Sequence, residues 1–324
     1  MTIKIAILFA AAAALAPAAA SAQPAAPAYP SKQVRMVVGL PPGGSNDILA
    51  RAVAQGISVA WGQPVIVENR PGANGILAID QVLKAPPDGY TLLVGAQSGY
   101  SINPFAYDKL SYDPARDLAP ITMFGNIAVL VVVHPSVQAK SVRELIALAK
   151  SRPGELNYGT PAISFHVVAE TLSQRAGIRL TRIPYKGSVP TVTALLAGDI
   201  QIGFVDPAPV LPHIKSGRVR VLAITSGQRA RYLPEVPTVA EDGVPEFDER
   251  IWIGLFARGG TPREIIDRVY AEAARTLQAP ELRARLADLG IDPVANSPEA
   301  FAAYLRAESA RFGPIIKAAN IRAE

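Results

Sequence analysis

Two rhythms of apolar positions alternate along this chain. Short runs rich in β-branched residues recur at Val34–Val38, Val65–Val67, Thr91–Val94, Asn157–Gly159, Arg182–Pro184, Ile202–Phe204 and Val219–Thr225, and each predicts a strand. Between them apolar residues return every three to four positions, over Ser45–Ala60, Ile76–Lys84, Val142–Lys150, Val167–Ala176 and Pro190–Gly198. That is the period of a helix with one buried face. Helix starts carry their own chemistry. Ser141-Val-Arg-Glu144 reads as a capping box, and Thr261-Pro262-Arg-Glu264 places proline where a helix needs no N–H. The alternation predicts an α/β fold with largely parallel sheets and right-handed crossovers.

Two runs depart from this rhythm. IAVLVVV at Ile127–Val133 and RIWIGLFA at Arg250–Ala257 are longer and more apolar, and a βαβα block lies between them. Beyond the second run the pattern is helical, over Pro262–Leu277, Glu281–Leu289 and Pro298–Ala319. A tail without strands has no sheet of its own and must pack on the first one. The expected organisation is therefore a discontinuous first lobe, 29–126 with 255–324, and a second lobe, 127–254, which includes the two apolar runs as crossing strands. One continuous sheet with two long core strands is the alternative. Two crossings make a hinge, and the space between hinged α/β lobes suits a ligand.

The first residues change the cellular picture. Lys4, the apolar stretch Ile5–Leu15 and Ala20-Ser21-Ala22 before Gln23 form a cleavable export signal over 1–22 that is too short to span a bilayer. No arginine pair or lipid-bearing cysteine accompanies it. No later stretch is long and apolar enough to span a membrane. Cysteine is absent among the 324 residues, which excludes disulfides, thiolate nucleophiles and cysteine-bound metals together. Without Lys4 the 32 basic residues become 31 against 27 acidic ones, a net +4 instead of +5. The cations are scattered and aromatics make up only 6%, so no nucleic-acid surface is expected.

Candidate chemistry concentrates in GLPPGGSND, residues 39–47. It follows a strand and opens a helix, where free amides and the macrodipole favour an anion. Gly43 and Gly44 allow close approach, and Ser45 can cap or donate. No lysine follows the glycines and no GxGxxG is present, so phosphate-loop and dinucleotide readings fail and a carboxylate is the anion left. A plain tight turn with Asp47 in the first helical turn is the competing reading. Enzyme signals are sparse. Gly95-Ala-Gln-Ser98-Gly99 has the wrong spacing for a nucleophile elbow, and His134, His166 and His213 belong to no metal motif. Neither cofactor nor metal is expected.

Taken in order, several longer stretches are distinctive: YPSKQVRMVVGLPPGGSND, VENRPGANG at Val67–Gly75, PPDGYTLLVG at Pro86–Gly95, RPGELNYGT at Arg152–Thr160, IPYKG at Ile183–Gly187, LPHIKSGRVRVLAITS at Leu211–Ser226 and LPEVPTVAEDGVPEF at Leu233–Phe247. Through them the chain, from about Tyr29 to its end, resembles the Bug family, the extracytoplasmic solute-binding receptors of tripartite tricarboxylate transporters. The resemblance implies a type II periplasmic-binding-protein fold, two α/β lobes joined by two crossing strands and closing on a small organic acid. It implies a periplasmic monomer without enzymatic activity, with the membrane subunits of a transporter as partners. By matching position it also implies a ligand shell. Lobe one gives Gly43, Gly44, Ser45, Asp47, Ser98 and Tyr100; lobe two gives Thr160, Ser164, the Lys186-Gly187 turn and Asp206 of GFVDPAP. Asp206 resembles the family acid that accepts hydrogen bonds from polar groups on the ligand.

One departure bears on the ligand. Where the family has a longer glycine-rich loop, this chain has YGTPAISFH, with Pro161, Ala162, Ile163 and Phe165. Either the ligand has an apolar or aromatic part beside its carboxylate, or Ile163 and Phe165 pack under the loop. Two rival functions accompany the transport reading: a secreted hydrolase using Ser164, His166 and Asp206, and a receptor feeding a sensor.

Overall fold

The computed structural model describes residues 29–323; the expected export signal lies outside them. Along the chain β1 (Val34–Val38), α1 (Ser45–Trp61), β2 (Val65–Asn69), α2 (Ile76–Lys84) and β3 (Thr91–Ala96) come first. A π-helical turn over Ser98–Ile102 and two four-residue helices, α3 (Asn103–Ala106) and α4 (Pro114–Asp117), lead to β4 (Leu118–Ala128). Next come β5 (Leu130–Val133), α5 (Val142–Ser151), β6 (Asn157–Thr160) and α6 (Ile163–Ala176). They are followed by β7 (Thr181–Pro184), α7 (Ser188–Ala197), β8 (Ile202–Val205), α8 (Pro207–Lys215) and β9 (Arg220–Ile224). The chain ends with β10 (Arg250–Arg258), α9 (Arg263–Gln278), α10 (Pro280–Asp288), β11 (Ile291–Pro293) and α11 (Pro298–Ala318).

These strands make two sheets, ordered β11-β4-β10-β3-β1-β2 and β7-β6-β8-β5-β9. The parallel pairing expected from the sequence holds for β2-β1-β3 and for β7-β6-β8. It fails for β10, antiparallel to both β3 and β4, and for β5, antiparallel to both β8 and β9. Each of these strands enters its sheet from the other lobe, at the end where the βα loops lie, and so runs against its neighbours. The tail also contains one short strand after all. β11 adds to the edge at β4, an edge position that tolerates Pro293.

IAVLVVV is divided between the sheets. Ile127 and Ala128 end β4, Leu130 begins β5, and buried Val129 makes the crossing. The return crossing runs through Glu249 into β10, which pairs with β4 from Arg250 onward. Buried Thr225 ties both crossings together: its hydroxyl accepts from Val129 N–H at 2.8 Å and donates to Glu249 O at 2.6 Å. Its N–H donates to Val129 O at 3.0 Å, and Glu249 N–H donates to Thr225 O at 2.9 Å.

Helix ends follow local chemistry. α1 buries Leu49, Ala50, Val53, Ala54 and Ile57 and stops at left-handed Gly62, whose N–H bonds Ser58 O at 3.0 Å. Ser141 Oγ caps α5 by accepting from Glu144 N–H, but the Glu144 carboxylate takes Lys140 N–H, one residue beyond the box pattern. α11 spans both lobes. Phe301 and Leu305 join Trp252 and Phe256 in the lobe-one core, while Phe312 and Ile316 pack with Ile102, Ala106 and the lobe-two residues Ile163 and Val167. Among the described residues, no helix is long and apolar enough to cross a membrane.

Candidate functional site

The loops that follow β1, β2 and β3 face the loops that follow β6, β7 and β8, so helix starts from both lobes meet. Each brings amides that lack an intrahelical acceptor. In the first loop Gly43 is left-handed (φ +87°) and Gly44 is extended (φ −86°, ψ 171°). Asp47 shapes this loop from beneath. Its Oδ2 accepts from Gly43 N–H at 3.1 Å, and its Oδ1 accepts from Asn69 Nδ2 at 3.0 Å and pairs with Arg51 at 2.9 Å. Burial pushes the Asp47 carboxyl up, but the hydrogen bonds from Arg51, Asn69 and Gly43 outweigh it and leave the group below the ordinary carboxylate range. Asp47 is therefore a loop organiser, and the Gly43 amide, expected to face a ligand, is spent on it.

Across the lobe boundary, buried Asp206 accepts from Ser45 N–H at 2.7 Å through Oδ2. A Cβ on Gly44 would lie 3.2 Å from Ser188 Oγ and 3.6 Å from Asp206 Oδ2. A Cβ on Gly187, which is left-handed at φ +105°, would lie 3.0 Å from the Pro41 ring. Asn74 Oδ1 accepts from Ile163 N–H at 3.4 Å. Among the described residues, three buried polar atoms in this region have no partner: Ser45 Oγ, Asn46 Nδ2 and Asp206 Oδ1. Leaving buried polar groups unpaired is costly, which makes these three candidates for meeting a polar ligand.

The other expected residues are placed as follows. Ser98 and Tyr100 are buried in the π-helical turn, and Tyr100 stacks on Phe256 with ring centroids 5.7 Å apart; burial pushes its hydroxyl pKa up. Both line a mostly apolar cavity of about 20 Å³ under the lobe-one loops, together with Asn46 and Asn74. That is room for about one water, not for an organic acid. Thr160 is buried, with its hydroxyl accepting from Arg182 Nε at 3.4 Å. Ser164 is buried in the first turn of α6, and the Lys186 side chain is exposed. Ile163 and Phe165 are committed to packing, Ile163 against Ile102 and Phe312, and Phe165 in the lobe-two core.

The hydrolase arrangement is not assembled. His166 Nδ1 lies 2.9 Å from the Tyr158 hydroxyl, which donates to Glu170 Oε1 at 2.7 Å. Burial, and then Arg182, pushes His166 down to about 3, so its imidazole is too weakly basic to take up the proton that a general base must accept. Among the described residues neither Ser164 nor Asp206 hydrogen-bonds to it.

Sequence reasoning missed Asn74, Arg182 and Ser188. Asn74 left a trace: in PGANG it precedes Gly75 and adopts φ +51°, which asparagine tolerates better than most residues. Arg182 and Ser188 left none, because a strand arginine and a helix-start serine are ordinary.

The family model described as "Tripartite tricarboxylate transporter family receptor" matches residues 49–321. The chain belongs to that family. It is a family of substrate-binding receptors, not enzymes, and the hydrolase reading falls with that assignment. Protein BugT of Bordetella pertussis is 36% identical over 296 residues, which cover 89% of this chain and 90% of the relative. A Rhodopseudomonas palustris protein, MatC, solved with bound malate, is 29% identical with a TM-score of 0.82 over 89% of this chain and 100% of that one. An R. palustris protein solved with adipate is 33% identical, with a TM-score of 0.88 over 91% of this chain and 99% of that one. The periplasmic binding protein BugD is 29% identical, with a TM-score of 0.85 over 91% of this chain and all of that one. The receptor thus has the periplasmic-binding-protein fold its two sheets describe.

Proposed function

We propose that this receptor captures a small organic carboxylate between its lobes and presents it to the membrane subunits of a tripartite tricarboxylate-type transporter from the periplasm. The observation that carries the reading is the meeting of the α1, α6, α7 and α8 starts around three buried, unpartnered polar atoms. Amides at helix starts favour negative charge. With Lys186 exposed, recognition in this reading falls to the helix-start amides, with Arg182 as the cation beside Thr160. The malate and adipate held by two relatives make dicarboxylates of that size the first probes. Ile163 and Phe165 give no reason to seek an aromatic ligand, because both are used in packing.

Calorimetric titration with malate, adipate and their diamides tests this reading. One or both acids are expected to bind at pH 7 and the diamides to give no heat, since an amide offers no charge to the helix starts. Equal binding of acid and diamide would overturn it. Export has its own check. Protein recovered from the periplasm should begin at or close to Gln23, after Ala20-Ser21-Ala22; a cytoplasmic product still carrying Met1 would contradict the assignment.

A further inference from the structure

Two helices that meet at the lobe boundary begin without caps of their own. α1 starts after Gly44 and α6 after Ala162, and neither cap residue makes a side-chain cap bond. The first amides of a helix need acceptors from elsewhere. Here the acceptors come from the opposite lobe: Asp206 of lobe two takes Ser45 N–H of α1 at 2.7 Å, and Asn74 of lobe one takes Ile163 N–H of α6 at 3.4 Å.

The local sequence explains why each acceptor is free to reach across. Asp206 occupies the cap position of α8 with extended backbone (φ −73°, ψ 152°), yet it makes no side-chain cap bond there. α8 begins Pro207-Ala208-Pro209, and the prolines remove two of the first three N–H groups that a cap would serve. The carboxylate is left to serve α1. Asn74 is held differently. Its left-handed backbone projects the side chain outward, Nδ2 donates to the Tyr107 hydroxyl at 3.0 Å, and its own O accepts from Asn103 Nδ2 at 3.3 Å. With the amide nitrogen anchored in lobe one, Oδ1 is the atom left to face α6.

We propose that Asp206 and Asn74 form a reciprocal latch in which each lobe caps a helix of the other, so that parting the lobes uncaps both helices at once. The latch concerns closure itself and stands whichever ligand the receptor takes. Asp206 is the stronger arm, being shorter and charged.

The chain has no cysteine, so a dye pair can be placed cleanly. Val59→Cys on α1, where Val59 is 81% exposed, and Lys150→Cys on α5, also exposed, put one dye on each lobe. Single-molecule energy transfer in carboxylate-free buffer then counts closed and open molecules. Asp206→Ala is expected to lower the closed-to-open ratio by about fivefold or more, the usual consequence of losing a helix cap. Asn74→Gly keeps the backbone conformation accessible while deleting the oxygen, and should lower the ratio by about twofold, as its longer bond implies. Thermal melts of both variants confirm that the lobes stay folded. An unchanged ratio in Asp206→Ala, or a free wild-type protein with no closed population, would overturn the latch. Adding malate or adipate to the labelled wild type reports on the carboxylate proposal separately, because failure to respond leaves the ratios in free protein intact.

Discussion

Gly44→Val is expected to weaken dicarboxylate binding by about 1–3 kcal/mol, the usual cost of overpacking a fitted contact, while leaving the melting temperature nearly unchanged. Gly44 sits at φ −86°, ψ 171°, a backbone any residue can adopt, so the substitution strains no dihedral in the loop itself. Its effect comes from the other lobe. A Cβ there already stands 3.2 Å from Ser188 Oγ and 3.6 Å from Asp206 Oδ2, and the two γ-carbons of valine extend into the space that the α1 and α7 starts share. Those carbons are therefore expected to oppose closure of the lobes while leaving each lobe's own packing intact. Gly43 makes the contrast. Its φ of +87° disfavours any side chain, so Gly43→Ala should instead disturb the loop and the Asp47 bond, at about 1 kcal/mol of folding stability. Calorimetric titration of each variant with malate and adipate, beside its thermal melt, separates the two. Normal affinity in Gly44→Val would mean that the loop is only a turn.

Much of the fold was readable in the sequence, because element existence depends on local pattern. β1 and α2 lie at the residues their apolar rhythm predicts, α9 is shifted from its pattern by one residue at each end, and α11 stops one residue short of its pattern. What the sequence did not disclose depends on partners far away in it. Whether β5 and β10 run with or against their neighbours follows from which lobe each strand arrives from, and no local period encodes that. The same limit applies to the site. GLPPGGSND identified the loop, but not that Asp47 turns inward to take the Gly43 amide while Asp206, 161 residues away, takes Ser45. The proline pair after Asp206 was visible, yet its consequence needs α1 opposite it. Ile163 suited either a ligand or a core until the position of α11 showed what it packs against.

Replacing Arg311 by methionine is expected to cost about 2–3 kcal/mol of stability at pH 7 and clearly less at pH 5. Arg311 on α11 donates from Nη1 to Glu249 Oε1 and Oε2 at 2.7 and 2.9 Å, and from Nε to Glu308 Oε1 at 3.1 Å. Gln97, just before the Ser98 turn, donates to Glu308 Oε2 at 3.1 Å. Glu249 is the residue through which the chain returns to lobe one, so this one cation joins the crossing point to the loop beside the candidate site. Both carboxylates are buried. Removing one partner from a buried ion pair typically costs about 3–5 kcal/mol; because the Arg311 side chain is 37% exposed, solvent screening lowers the expectation to about 2–3 kcal/mol. The pH dependence follows from Glu249. Burial, opposed by the Arg311 bonds, already holds its pKa above the ordinary 4.5, and without Arg311 the neighbouring Glu308 charge would raise it further. A carboxyl raised in the folded state contributes its stability fully below the unfolded value and loses it as pH climbs through the folded one. The deficit of Arg311→Met should therefore be greatest at neutral pH and shrink as Glu249 protonates on the way down toward 4.5. Urea midpoints of wild type and variant at pH 7 and pH 5 measure this. A deficit that stays the same at both pH values would show that Arg311 acts through its guanidinium over the Phe312 ring (4.2 Å to the centroid) and not through the carboxylates.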